Sequence, residues 1–186
     1  MNFESKFNSG QSYLSFLDQY GTDDQRKRWA AVHEKVKLNS SQITLLASFA
    51  REMKVMVLAG AWCGDCVNQC PIFDHFAAAN SKIQIHYYDR DAHADLGDQL
   101  QICGAHRVPA VMFLSEDFYV CGRYGDKTLS KYRELAEKQL GPSCPTGLGA
   151  VDLPSLERVC QDWLNEFERI QLMLRLSGRL RALHQD

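Results

Sequence analysis

The sequence predicts an α/β fold in which a mixed central sheet lies between two layers of helices. Three observations predict it. Val55 to Ala59 and Ala110 to Leu114 are short, continuous apolar runs, the pattern of strands buried on both faces. Between them, two stretches of helical character, 63–79 and 93–103, flank an alternating segment from Ile83 to Tyr88. Ser115-Glu116-Asp117 then forms a short turn into a further strand, 118–123, that should pair antiparallel with 110–114. Parallel strands joined by helices, followed by a hairpin and a helix over 128–140, make a three-layer α/β/α sandwich.

The elements follow in chain order. Ser12 to Tyr20 carries Tyr13, Leu14, Phe16 and Leu17, a short amphipathic helix ended by Gly21. Thr22-Asp23-Asp24-Gln25 is a capping box, in which the threonine oxygen accepts from the third N–H and the glutamine returns to the cap. The helix it opens should run to about Val36, with Trp29, Val32 or His33, and Val36 on one side. Asn39 starts another helix, with Gln42 three residues on and Ile43, Leu46, Ala47 and Ala50 facing inward. Lys35 to Leu38 is open to a second reading as a short first strand. The first core strand is 54–59. In Ile83 to Tyr88 the apolar positions alternate with Gln84, His86 and Tyr88, so one face should be less buried. Residues 141–151, with Gly141, Pro142, Pro145, Gly147 and Gly149, form a linker by composition. Asp152 caps a long helix over 152–186, with Pro154 in its first turn. Leu153, Leu156, Cys160, Trp163, Phe167, Ile170 and Leu174 make a stripe close to a heptad seam. It packs on the chain's own N-terminal helices or, alternatively, serves as a dimer seam or partner surface.

Composition narrows the function classes. The chain has 186 residues, enough for one domain with a substantial core and additions. A formal net charge of −2 gives no reason to expect nucleic acid or an anionic membrane surface. No apolar stretch approaches the roughly 20 residues that span a bilayer, and the opening Met1 to Lys6 lacks a signal-peptide core. Of the 7 cysteines, Cys103, Cys121, Cys144 and Cys160 are scattered, while Cys63, Cys66 and Cys70 cluster. An odd, scattered set with one close pair suits a reducing cytoplasm, the expected location.

The chemistry concentrates at Trp62-Cys63-Gly64-Asp65-Cys66, where the buried strand hands over to a helix. The first turn of a helix presents unpaired N–H groups and the positive end of its dipole. A thiol there should lose its proton more easily, and the thiolate is the nucleophile. Cys63 is thus expected at the turn with an exposed sulfur, and Cys66 one turn further in. Cys63 attacks a substrate disulfide to form a mixed disulfide, and Cys66 then attacks Cys63 and releases the reduced substrate. Trp62 offers a flat apolar wall beside the thiol.

These residues resemble the thioredoxin family. The likeness rests on the Trp62-to-Cys66 motif after a buried strand, on Pro71 in the following helix, and on Val108-Pro109 before the strand 110–114. It spans residues 38–140, leaving 1–37 as an N-terminal helical extension and 152–186 as a C-terminal amphipathic helix. The resemblance implies a thioredoxin-like fold with added helices and a thiol–disulfide oxidoreductase, most readily a protein-disulfide reductase. It implies that Pro109 is cis and keeps the cysteines from binding metal, that Val108 backbone groups pair with an extended substrate, and that Gly125 completes the groove. Trp62, Gly64, Asp65, Arg107, Val108, Pro109 and Gly125 are therefore the expected substrate-binding set. No cofactor is expected beyond the Cys63–Cys66 disulfide itself, and no metal. Expected partners are protein or small-molecule disulfides and an electron donor, without nucleic acid or membrane.

The sequence departs from the family pattern in places. The family's buried acid lies six residues before the first cysteine, and Val57 stands there; Ile83 to Tyr88 holds no lysine to partner it. Asp65 replaces the usual proline, and its carboxylate should raise the Cys63 pKa, so that Asp65→Pro would lower it. Arg107 is a candidate to counter that by facing the sulfur, or else a solvated side chain. Cys70, four residues after Cys66, is either a small buried core residue or a third redox thiol able to pair with Cys66. Two other function classes fit parts of the pattern. Cys63, Cys66, Cys70 and His75 are potential zinc ligands, although one helix cannot surround a tetrahedral ion. A non-catalytic thioredoxin-like binding or adaptor protein is the main alternative, favoured by the missing acid and the added helices.

Overall fold

The computed structural model describes residues 1–140 and 155–185. Four strands, β1 (Met53–Ala59), β2 (Ile83–Asp89), β3 (Ala110–Leu114) and β4 (Val120–Gly125), form one sheet in the order β2-β1-β3-β4. β1 and β2 are parallel; β1–β3 and β3–β4 are antiparallel. β1 and β3 are buried along their whole length, which is why they read as unbroken apolar runs. The register sets Val57 beside Tyr87 on β2 and Val111 on β3.

Helices flank both faces. α1 (Phe3–Asn8), α2 (Tyr13–Tyr20), α3 (Asp23–His33) and α4 (Ser40–Ala47) precede the sheet. α5 (Gly64–Ala79) follows β1, α6 (Ala94–Gln99) follows β2, and α7 (Leu129–Leu140), α8 (Ser155–Leu176) and α9 (Gly178–His184) follow β4. The capping boxes at Thr22 and Asn39 both form, each with its side chain and glutamine bonding reciprocally. Phe167 of α8 meets Phe73 and Phe76 of α5 and Phe113 of β3, so α5 and α8 share one face of the sheet. On the other face Phe7 of α1 stacks on His86 at 4.2 Å between ring centroids, and the Tyr88 hydroxyl donates to the Lys6 and Phe7 carbonyls.

Several expectations change. α3 ends at His33, and 35–38 forms no strand; Val36 is buried from the turn that follows. α4 stops at Ala47, so the inward stripe does not continue: Ile43, Ala47 and Ala50 are exposed, while Leu46 and Phe49 enter the core. α6 covers only Ala94–Gln99, because the chain turns through Cys103 and Gly104, both at positive φ. β4 begins two residues later than expected, since Phe118 sits at φ 66° in the turn and not in the strand. Tyr88 is buried despite the alternation, because α1 covers the face that would have met solvent. The C-terminal segment is two helices, separated at Ser177, whose hydroxyl caps α9 by accepting from the Leu180 N–H. The aromatic part of the α8 stripe packs on α5 and the sheet; Trp163 meets Phe73 and Tyr124 edge-on. The composition-based linker, Asp152 and Leu153 lie outside the described residues.

Candidate active site

Cys63 is the N-cap of α5, in extended conformation, with Gly64 the first helical residue. β1 ends at Ala59, and two anchors hold the turn between. The Trp29 indole N–H, from α3, donates to the Ala61 carbonyl at 2.9 Å, and the Gly60 N–H donates to the Cys66 sulfur at 3.5 Å. Gly60 also lets the Trp62 ring lie on the backbone, since a Cβ there would come within 2.6 Å of it. Trp62 is exposed, and the Arg90 guanidinium covers its ring at 4.5 Å.

The Val108–Pro109 peptide is cis. The Cys63 thiol donates to the Val108 carbonyl at 3.5 Å, so the motif and the proline loop meet face to face. Gly125 backs this loop: it has φ 138°, and a Cβ would lie 2.3 Å from the Pro109 carbonyl oxygen. Only glycine fits that approach.

Both sulfurs are free thiols. Cys63 is partly exposed and Cys66 is fully buried. Cys63 is raised above the ordinary thiol range, first by its hydrogen bond with Cys66, then by burial. Backbone N–H groups of Cys66 and Asp65 act in the lowering direction on Cys63. The expected helix-terminus effect is therefore present but outweighed while both thiols are reduced. Cys66 is raised first by burial, with the Cys63 hydrogen bond opposing.

The Asp65 carboxylate pairs with Lys127 at 2.9 Å. The Asp65 backbone N–H acts to lower the Cys63 pKa, and a proline there would remove it. The Arg107 guanidinium reaches Asp126 at 3.3 Å. Asp126 is buried and also bonds Lys127 at 3.0 Å and the Tyr132 hydroxyl. Burial works to raise the Asp126 pKa, and the Tyr132 and Lys127 hydrogen bonds overcome it, bringing it to about 2. Gln69 of α5 donates to the Asp126 carbonyl and accepts from the Trp163 indole N–H, both at 2.9 Å.

Val57 is fully buried where the family's acid would stand. Cys70 is also fully buried; it acts to raise the Cys66 pKa, and its carbonyl accepts from the Tyr87 hydroxyl at 3.2 Å. His75 instead bonds the His33 carbonyl at 3.0 Å, and among the described residues no group of three or more His, Cys, Asp or Glu is arranged to hold a metal ion. Sequence reading did not single out Arg90, Asp126, Lys127 or Tyr132. Trp29 was visible only as a helix-face residue, without its bond to the motif.

A parallel–antiparallel sheet between helical layers, with a strand-to-helix dithiol facing a cis-proline, defines a thioredoxin-like fold and site. The thioredoxin family model matches residues 10–136, more than half of the chain. The chain belongs to the thioredoxin family. Among solved structures it is similar to a Pseudomonas aeruginosa protein of unknown function, with 20% identity and a TM-score of 0.70 over 91% of this chain and 98% of that one. An HIV epitope-scaffold matches with 17% identity and a TM-score of 0.64, covering 100% of this chain and 98% of the scaffold. Both likenesses concern the fold, and they take in the added helices. Thioredoxin f2 of Chlamydomonas reinhardtii aligns over 56% of this chain and 95% of its own, with 16% identity and a TM-score of 0.36. Comparison with curated proteins found no match.

Proposed function

We propose that the chain is a thiol–disulfide oxidoreductase acting as a protein-disulfide reductase in the cytoplasm. The observation that carries this reading is the Cys63 sulfur, partly exposed at the start of α5 and 3.5 Å from the Val108 carbonyl beside cis-Pro109. As a thiolate, Cys63 attacks one sulfur of a substrate disulfide, and the other sulfur leaves as a thiolate. The buried Cys66 then attacks Cys63 and expels the substrate as a second thiol, leaving the Cys63–Cys66 disulfide. An electron-donor dithiol restores both cysteines. The substrate's extended chain pairs with the Val108 backbone, flanked by Trp62, Gly64, Pro109 and Gly125. Arg107 and Asp65 rim the groove through their ion pairs with Asp126 and Lys127.

The deciding experiment is a redox titration of the Cys63–Cys66 pair, read by thiol alkylation and mass, with turnover of a small protein disulfide measured in parallel. A two-electron midpoint at or below about −230 mV marks a reductase, and one above about −180 mV marks an oxidant or isomerase. Cys63→Ser abolishes turnover. A second reading, a non-catalytic binding protein, draws support from Val57 in the acid position and from the raised thiols. Absence of any two-electron couple establishes it in place of the first.

A further inference from the structure

The groove at Cys63 has two walls from distant parts of the chain. One is the proline loop, with Arg107 and Val108 ahead of cis-Pro109; the other is the turn into α5, from Cys63 to Asp65. The walls meet where the Cys63 thiol donates to the Val108 carbonyl at 3.5 Å. A short loop, 126–128, between β4 and α7, bonds to both walls.

Asp126 opens this loop, and its side chain is only 3% exposed. One carboxylate oxygen accepts from Arg107 at 3.3 Å and from Lys127 at 3.0 Å; the other accepts from the Tyr132 hydroxyl on α7. The Asp126 carbonyl accepts from Gln69 of α5 at 2.9 Å. Lys127 donates onward to the Asp65 carboxylate at 2.9 Å. Thr128, fully buried, closes the loop. Positive and negative groups thus alternate, Arg107–Asp126–Lys127–Asp65, from the proline loop to the cysteine motif. A buried ion network adds little stability beyond apolar packing of the same volume. It does hold its members at hydrogen-bond distances and directions. Here those members belong to opposite walls of one groove.

We propose that this chain of ion pairs sets the separation of the groove walls, which makes Asp126 and Lys127 positioning residues for disulfides carried on an extended polypeptide. The inference rests on the oxidoreductase reading above. In the step concerned, the Cys63 thiolate bonds to one sulfur of the substrate disulfide, the substrate S–S bond breaks, and its electron pair leaves on the other sulfur. A polypeptide disulfide is aimed by its backbone, seated along Val108. Moving one wall by about 1 Å takes that seat out of line with Cys63, and a misplacement of this size costs up to about a hundredfold in rate. A small free disulfide has no backbone to seat and aligns itself on the sulfur. The ion pairs therefore act on the choice of substrate, while Cys63 and Cys66 alone touch the reacting atoms.

The test compares rate constants for mixed-disulfide formation at Cys63 with two uncharged probes, a peptide holding one internal disulfide and the small aromatic disulfide dithiodipyridine. The full chain is measured beside Lys127→Met, Asp126→Asn and Lys127→Arg, each below its melting temperature. In Lys127→Met and Asp126→Asn the ratio of the peptide rate to the small-disulfide rate is expected to fall by about fivefold or more. Lys127→Arg, which can keep both ion pairs, restores the ratio. A merely structural role would lower the melting temperature and leave the ratio in place. Lys127 is partly exposed, so Lys127→Met keeps the test open where Asp126→Asn fails to fold. An unchanged ratio in the folded variants, or a fall that Lys127→Arg does not reverse, would overturn the positioning role and leave the oxidoreductase reading intact. A wild-type chain that forms a mixed disulfide with neither probe would overturn both.

Discussion

Cys63 and Cys66 each act on the other's ionisation in a site where one sulfur is fully cut off from water. Removing the buried partner should free the exposed one. Cys66→Ala is expected to lower the Cys63 pKa, followed by thiolate ultraviolet absorbance; an unchanged titration would show that Cys66 is not the cause. Asp65→Asn should leave that titration in place because its carboxylate is engaged with Lys127, whereas Asp65→Pro should raise it by removing an N–H aimed at the sulfur. At Gly125 the constraint is steric. Gly125→Ala puts a methyl group 2.3 Å from the Pro109 oxygen at a φ that L-residues avoid, and should cost about 2 kcal/mol or more by denaturant unfolding.

At the scale of elements, the apolar stripe of α8 closes the core over α5. Phe167 touches rings from α5 and β3 at once, so Phe167→Ala should destabilise by about 3–5 kcal/mol in urea melts. The end of β4 is tied to the proline loop and to α5 through Asp126. Its depressed pKa stabilises the fold above the unfolded carboxyl value of about 3.9, and that stabilisation is lost as pH falls through about 2. Asp126→Asn should therefore lower stability at neutral pH and flatten the acid limb between about 4 and about 2, seen as convergence with wild type in acid melts.

Across the whole molecule, the added helices are bound into the same core as the sheet. α1 and α2 cover β2, and Gln11 pairs with Tyr87 through two backbone hydrogen bonds at its outer edge. Deleting residues 1–37 should expose that edge, Tyr87 and Tyr88, and should produce aggregation or loss of cooperative unfolding by light scattering and melting. The extension also reaches the chemistry: Trp29 grips Ala61 beside the motif, while Trp163 from the far end of the chain grips Gln69 in the active-site helix. Both added regions thus fix where Cys63 and Cys66 stand.

The succession of strands and helices, the dithiol at a strand-to-helix turn and the two capping boxes were legible in local pattern, and the cis proline in the family resemblance. Continuous apolar runs, capping boxes and the spacing of Cys63 and Cys66 are properties of neighbouring residues, and a linear reading detects those. The direction of a side chain was not legible where several elements compete for it. Asp65 and Arg107 pair with Lys127 and Asp126, which lie far along the chain. Tyr88 became buried because α1 folded over it, and the aromatic part of the α8 stripe met α5 and the sheet. The sequence by itself determined the fold class and the location of the reactive pair, through short-range periodicity and steric rules. Tertiary structure alone decided the charges around that pair, because burial and ion pairing depend on which distant groups arrive at the same place.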